Sequence, residues 1–228
     1  MSSSPESGNV IFYILLAVAL LGALSFAVAQ SDRGSITTIT DDKARLYAGD
    51  FIAYGDTLAK AVTQMRLRGS SVAALSFAHP DAHADYGTYD SDPDNEVFNP
   101  AGGAVIYAAP EDDALDSAGA VYEFLSDNEI EQVGTTCGAA ACADLIAALS
   151  GVKKPVCVAI NDLLSVDNPS GDPPTDGGID TTRFAGSFGY SKTVGDEVSS
   201  AALEGKSAGC FYDSGSAAYV FYQVLLPR

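Results

Sequence analysis

Residues 10–29 form an uninterrupted apolar segment (VIFYILLAVALLGALSFAVA) of 20 residues without a charged side chain. At about 1.5 Å of rise per residue, a helix of this length spans roughly 30 Å, the thickness of the hydrocarbon core of a bilayer. A helix on the surface of a globular protein would carry a polar face, whereas the polar groups here are limited to Tyr13 and Ser25. The segment therefore predicts a transmembrane helix, and a buried core helix is the less favoured alternative.

A helical pattern continues beyond this segment. From Asp41 onward, apolar residues recur at steps of three and four, which marks one face of an amphipathic helix. These positions are Tyr47, Phe51, Tyr54, Leu58, Ala61, Val62 and Met65. We therefore predict one long helix over residues 10–68, transmembrane in residues 9–29 and amphipathic in residues 30–69, which ends at Gly69. The alternative is two helices with a loop between them.

The net negative charge of the chain lies in its C-terminal part. The formal net charge is −18, and the six acidic residues among residues 1–69 are balanced by six basic ones. The whole excess therefore lies on residues 70–228, which we call the head. A head this acidic repels nucleic acid, so nucleic acid is not an expected partner. We interpret the charge mainly as a means of solubility.

Four cysteines, Cys137, Cys142, Cys157 and Cys210, lie in the head. An even number of cysteines beyond a membrane segment predicts disulfides in an oxidising compartment. Three pairings are possible, and we favour Cys137–Cys142 with Cys157–Cys210. A zinc site is the weaker alternative, because the chain has no CxxC pair and no nearby histidine.

The head predicts a mixture of strands and short helices. We predict strands at residues 104–108, 121–125, 182–188, 207–212 and 217–226, and short helices at 136–149 and 155–164. The predicted fold class is therefore α+β, with a long, partly transmembrane N-terminal helix packed against a C-terminal head. In this prediction the head contains an antiparallel sheet and short helices.

The residues before the apolar segment leave its processing open. Residues 27–29 (AVA) fit the small-x-small rule for a signal peptide cut after Ala29, although no basic residue precedes the segment. An uncleaved anchor is the second alternative. The third is a prepilin-type leader, residues 1–8 (MSSSPESG), cut between Gly8 and Asn9.

The layout resembles the type IV pilin and pseudopilin family. The resemblance consists of the short leader ending at Gly8, the apolar helix, its amphipathic continuation and a cysteine-containing head. It covers residues 1–68 and the head only in outline. The family usually has Glu at the fifth position after the cleavage point, where this chain has Tyr13, and its leaders usually carry a basic residue, where this one has Glu6. These departures favour a minor subunit over a major one.

The resemblance implies a structural function. The chain would be a pilin-like subunit of an extracytoplasmic filament or secretion apparatus, and its partners would be the membrane and other pilin-like subunits contacted through the N-terminal helix. The expected location is the inner membrane, with the head in the periplasm or on the cell surface. The alternative is a membrane-anchored binding or adhesion module that forms no filament.

We find no catalytic motif in this sequence. Gly205-Lys206-Ser207 lacks the earlier glycine of a P-loop, because Ser200 stands there. His79 and His83 are separated by Pro80, which favours a solvated loop. We therefore do not expect an enzyme.

Calcium is the one cofactor candidate. Some pseudopilins hold Ca²⁺ in a late loop, and this chain has Asp167, Asp172, Asp176 and Asp180 in such a position. The first acidic loop, residues 90–96, lacks the glycine and glutamate of an EF-hand. Solvated acidic turns are the alternative for both loops.

Overall fold

The computed structural model describes residues 12–21 and 40–228, which belong to two compact units divided after Thr40. In the first unit, residues 12–21 form helix α1. No helix in the described part of the chain has both the length and the apolar character needed to cross a membrane. This finding contradicts the predicted transmembrane helix and the predicted inner-membrane location.

Helix α2, Asp41–Leu67, opens the second unit. Thr40 is not helical, so the prediction of one helix over residues 10–68 is wrong, and the described residues follow the two-helix alternative. The start of α2 has a physical reason in the sequence. Residues 36–40 (ITTIT) are all β-branched, which lowers helix propensity. Asp41 and Asp42 in the first turn then interact favourably with the positive end of the helix dipole.

The apolar face of α2 was predicted correctly. Tyr47, Phe51, Leu58, Val62 and Met65 are all buried. The helix ends in a Schellman motif, in which the Ser70 N–H donates to the Met65 carbonyl at 3.1 Å and the Gly69 N–H to the Arg66 carbonyl at 3.1 Å. Gly69 adopts φ +106°, which a side chain would disfavour, and the predicted stop at this glycine is therefore right.

The second unit is built on a six-stranded mixed sheet. The strands are β1 (Glu123–Ile130), β2 (Asp144–Ser150), β3 (Thr175–Asp176), β4 (Lys192–Val194), β5 (Ala208–Asp213) and β6 (Ala218–Leu226). Their spatial order is β3-β5-β6-β2-β1-β4. The four central strands are antiparallel, but β3 pairs with β5 and β4 pairs with β1 in parallel. The predicted antiparallel sheet is therefore wrong at both edges, where long connections bring short strands back in the parallel direction.

The two edges of the sheet approach each other. The Asp176 carboxylate in β3 accepts a hydrogen bond from the Gly195 N–H, just after β4, at 2.9 Å. The neighbouring Thr175 N–H donates to the Ser199 carbonyl at 3.2 Å. These contacts nearly close the sheet, so that neither edge presents a long row of free backbone groups.

The two faces of the sheet are both covered. Helix α2 and helix α3 (Lys154–Leu164) pack on one face, against β5 and β6. The Cys157–Cys210 disulfide joins α3 to β5. Asn161 strengthens this junction, because its side chain both donates to the Cys210 carbonyl and accepts from the Cys210 N–H, each at 2.8 Å. The inner face holds a core that includes Ile146, Phe211 and Tyr222.

The sequence analysis erred in the middle of the head. The predicted helix at 136–149 is in fact a disulfide loop followed by β2, and neither 104–108 nor 182–188 is a strand. Between residues 72 and 122, which are all described, regular structure is limited to short 3₁₀ turns. Aromatic packing holds this segment to the sheet. The rings of Phe77 and Phe124 stack with centroids 4.0 Å apart. The helix at 155–164 and the last two strands were predicted correctly.

Candidate functional site

Helix α1 exposes its entire apolar surface. The exposed fraction of its large side chains runs from 46% for Leu16 to 64% for Leu15. The other large side chains exposed on α1 are Phe12, Tyr13, Ile14, Val18, Leu20 and Leu21. Ala17 and Ala19 are exposed as well. An apolar helix of this kind is a contact surface whose burial is favourable.

The predicted processing site cannot be placed on the structure. Gly8 and Asn9 lie outside the described residues. Cleavage between them, and the resemblance to pilins that it belongs to, stay predictions.

All four cysteines are paired. The bonds are Cys137–Cys142 and Cys157–Cys210, the pairing that the sequence analysis favoured. Among the described residues, one group of His, Cys, Asp and Glu is compact enough to hold a metal ion, and it consists of Glu129, Cys137 and Cys142. Because both cysteines are in a disulfide, this group offers a metal no thiolate.

The four aspartates proposed for calcium have separate roles. Asp172 forms an ion pair with Lys154 of α3, and Asp167 is exposed. Asp176 is buried and accepts from the N–H groups of Gly178 and Gly195. Asp180 accepts from the Thr182 N–H at 2.8 Å. These four residues do not appear among the described groups with a metal-binding arrangement. Calcium binding by these four aspartates stays a prediction.

Buried carboxylates are the main feature that sequence reasoning missed. Among the residues that the structure describes, five acidic side chains are almost completely buried: Glu96, Glu129, Asp144, Asp176 and Asp213. Each accepts at least two backbone N–H groups, which belong to loops or turns in every case except Asp144. Glu96, for example, accepts from Asp90, Ser91 and Asp92 at 2.9–3.2 Å. These residues fix loop geometry, and nothing in the sequence separates them from the exposed acids.

Among these buried carboxylates, Asp144 has a strongly raised pKa. Its oxygens accept from the N–H groups of Ile130 and Arg228, each at 2.9 Å. Burial nevertheless dominates over these hydrogen bonds and raises the pKa of Asp144 to about 6. The nearby Glu129 raises this pKa further, and Arg228 opposes the shift. Asp144 therefore titrates close to neutral pH.

A cleft of about 280 Å³ opens between β1, β2 and the β5–β6 turn. Its apolar floor is formed by Leu125, Ala148 and Val220, which also belong to the inner core. Charged side chains lie around it: Asp213 at the end of β5, Glu123 at the start of β1 and Lys192 on β4. The sequence analysis did not predict this cleft. Its only sequence signal is the turn after Asp213 (DSGSA), which indicates a hairpin but no ligand.

The fold and these sites define the second unit as a disulfide-bonded domain with two helices on a nearly closed mixed sheet. Comparison of the chain with protein-family models, with curated proteins and with solved structures found no match in any of the three.

Proposed function

We propose that this chain is a structural, non-enzymatic subunit that assembles with further copies of itself through helix α1. The observation that carries the proposal is the exposure of every large apolar side chain on α1. Burying one such side chain is worth about 1.5–3 kcal/mol, so eight of them supply a strong drive for association. The resemblance to pilin-like proteins, in which apolar N-terminal helices pack together, supports the same function.

The composition of α1 supports helix–helix packing. Ala17 and Ala19 lie among the large residues, and small side chains let neighbouring helices approach closely. The second unit, for its part, buries its own aromatic and aliphatic core.

The roles of the reactive side chains support a non-enzymatic function. Both histidines organise their own turns: the Nδ1 atom of His79 accepts from the Asp81 N–H, and that of His83 from the Asp85 N–H, each at 3.2 Å. The cysteines are all in disulfides. The strongly negative head supports partners other than nucleic acid.

Cross-linking of the full chain tests the proposal. We expect Ala17→Cys, treated with a bifunctional maleimide, to give covalent oligomers, because copies of α1 bury this position against each other. The control is Lys60→Cys on the exposed side of α2, which should stay monomeric under the same conditions. Adding Leu15→Asp to Ala17→Cys should abolish the oligomers, because a carboxylate cannot be buried in the packed helices. A monomeric Ala17→Cys protein, or equal cross-linking at Lys60→Cys, would contradict the proposal.

A further inference from the structure

The cleft beside Asp213 contains a carboxylate that is held in place but only half satisfied. Asp213 is 4% exposed. Its Oδ1 atom accepts from the Gly215 N–H at 2.7 Å and the Ser216 N–H at 3.1 Å. Its Oδ2 atom receives no hydrogen bond from the described residues. The orientation of the carboxylate is therefore fixed by the turn, and one oxygen remains available.

The packing around Asp213 keeps this oxygen close to the cleft. Gly178, which lines the cleft, has φ +118°, and a Cβ placed on it would lie 2.7 Å from Asp213 Oδ1 and 3.3 Å from Oδ2. The absence of a side chain at this position leaves room for the carboxylate. Asp213 Oδ2 is not one of the fully buried atoms that lack a hydrogen-bond partner in the described residues, so solvent or a ligand can reach it. A charged donor makes the strongest hydrogen bond to such an oxygen.

The other charged side chains in and beside the cleft do not offer a free carboxylate oxygen as Asp213 does. Glu123 is already paired, because its Oε1 atom lies 2.5 Å from the Arg183 guanidinium. Lys192 is exposed and has no carboxylate within ion-pair distance in the described part of the chain. Its ammonium can move away on its flexible stem, although its charge opposes a second cation. Asp176, next to Asp213 across β3 and β5, uses both carboxylate oxygens for backbone N–H groups.

We infer that this cleft binds the side chain of a lysine or arginine from a partner protein. The ammonium or guanidinium group would donate to Asp213 Oδ2, and the aliphatic stem would lie on Leu125, Ala148 and Val220. Long basic side chains combine these two properties, because their stems are apolar and their ends are charged. A divalent cation fits less well, since the neighbouring Asp176 uses both carboxylate oxygens for backbone N–H groups, and Asp213 belongs to no described group of three metal ligands.

The test measures binding of small probes to the full chain by saturation-transfer NMR. The probes are Nα-acetyl-lysine methylamide and Nα-acetyl-arginine methylamide, with Nα-acetyl-norleucine methylamide as the uncharged control. We expect weak binding of the basic probes, with at least tenfold weaker binding of norleucine. Asp213→Asn should weaken the binding of the basic probes at least tenfold, because it keeps the Oδ1 acceptor of the turn but loses the charge.

Two further variants keep the test decisive if Asp213→Asn fails to fold. Thr181 is exposed and lines the cleft, so Thr181→Trp should block the cleft without touching Asp213. Lys192→Gln should leave the affinity unchanged or raise it severalfold, because it removes a competing positive charge. Equal binding of norleucine, or unchanged affinity in Asp213→Asn and Thr181→Trp, would overturn the inference. Tighter binding of free butylamine than of acetyl-lysine methylamide would assign the cleft to small amines and overturn the partner-protein ligand.

Discussion

Single acidic residues fall into two populations in this protein. Most are exposed and contribute to its negative charge, as the sequence predicted. The five buried ones instead hold loops through backbone N–H groups, which the bare count of 30 acidic residues did not reveal. Which population a residue joins depends on whether the fold brings backbone N–H groups to its carboxylate. Glu96 is buried with its carboxylate facing the loop that precedes it, whereas Asp94, two residues earlier, is exposed.

The raised pKa of Asp144 predicts that the stability of the protein changes with pH. The folded protein binds this proton more tightly than the unfolded chain, whose aspartates titrate near 3.8. The contribution of Asp144 to the free energy of unfolding therefore rises as the pH falls from 7 through 6, and it is complete below the unfolded pKa. Between pH 7 and pH 5 we expect a gain of about 1 kcal/mol that Asp144→Asn lacks.

Denaturant unfolding of both proteins across this pH range measures the difference. Asp94→Asn is the matched control, because it removes the same charge from an exposed position. The control should follow the pH dependence of the unmodified chain. A pH dependence of Asp144→Asn that equals that of the unmodified chain would contradict the assigned titration.

At the level of elements, the sequence predicted well wherever a short-range pattern decides the structure. The spacing of Tyr47, Phe51 and Leu58 predicted the buried face of α2, and Gly69 predicted its end. Prediction from the sequence failed where contacts between residues distant in the chain determine the structure. Residues 144–149 (DLIAAL) have helix-forming residues but form β2, because β1 and β6 pair with them on either side. The cleft beside Asp213 was not predicted for the same reason, since residues from five strands and the loops between them line it.

One glycine within α2 and one just after it give a matched test of helix energetics. Gly49 lies within the helix, away from both ends, and is exposed to solvent. A Cβ there would meet nothing within 4 Å. Gly49→Ala should therefore stabilise the protein by about 0.5–1 kcal/mol, because glycine loses more backbone entropy on folding. Gly69→Ala should destabilise it by about 1 kcal/mol, because φ is positive at that position. Chemical denaturation of both variants measures these effects, and changes of the same sign would show that the helix end is not as described.

At the level of the whole molecule, the described residues divide into two units with different surfaces. The first is an apolar helix with an exposed surface, and the second is a compact domain with its own core. In the proposed function, the first unit would drive association and the second would be displayed. Nearly all of the net charge lies on the second unit, because residues 1–40 contain two acidic residues and one basic residue.

This division predicts that residues 40–228 fold without the preceding part of the chain. We expect this fragment to be monomeric and to unfold cooperatively, because its core and both disulfides are internal to it. The full chain should associate under the same conditions if α1 drives assembly. Sedimentation velocity and thermal unfolding of the two proteins provide the measurement. If the fragment does not unfold cooperatively, the two units are not independent. If the fragment associates, the assembly surface lies in residues 40–228 and not in α1.

The Cys157–Cys210 bond also determines how this domain would respond to a pulling force. Its two cysteines are 53 residues apart in the chain and enclose most of α3 together with β3 and β4. Under tension between the two ends of the domain, the force passes through the disulfide and bypasses this loop. Roughly 180 Å of extended chain, at about 3.4 Å per residue, is therefore kept from unravelling. A subunit under load would lengthen by that much less for as long as the bond remains oxidised.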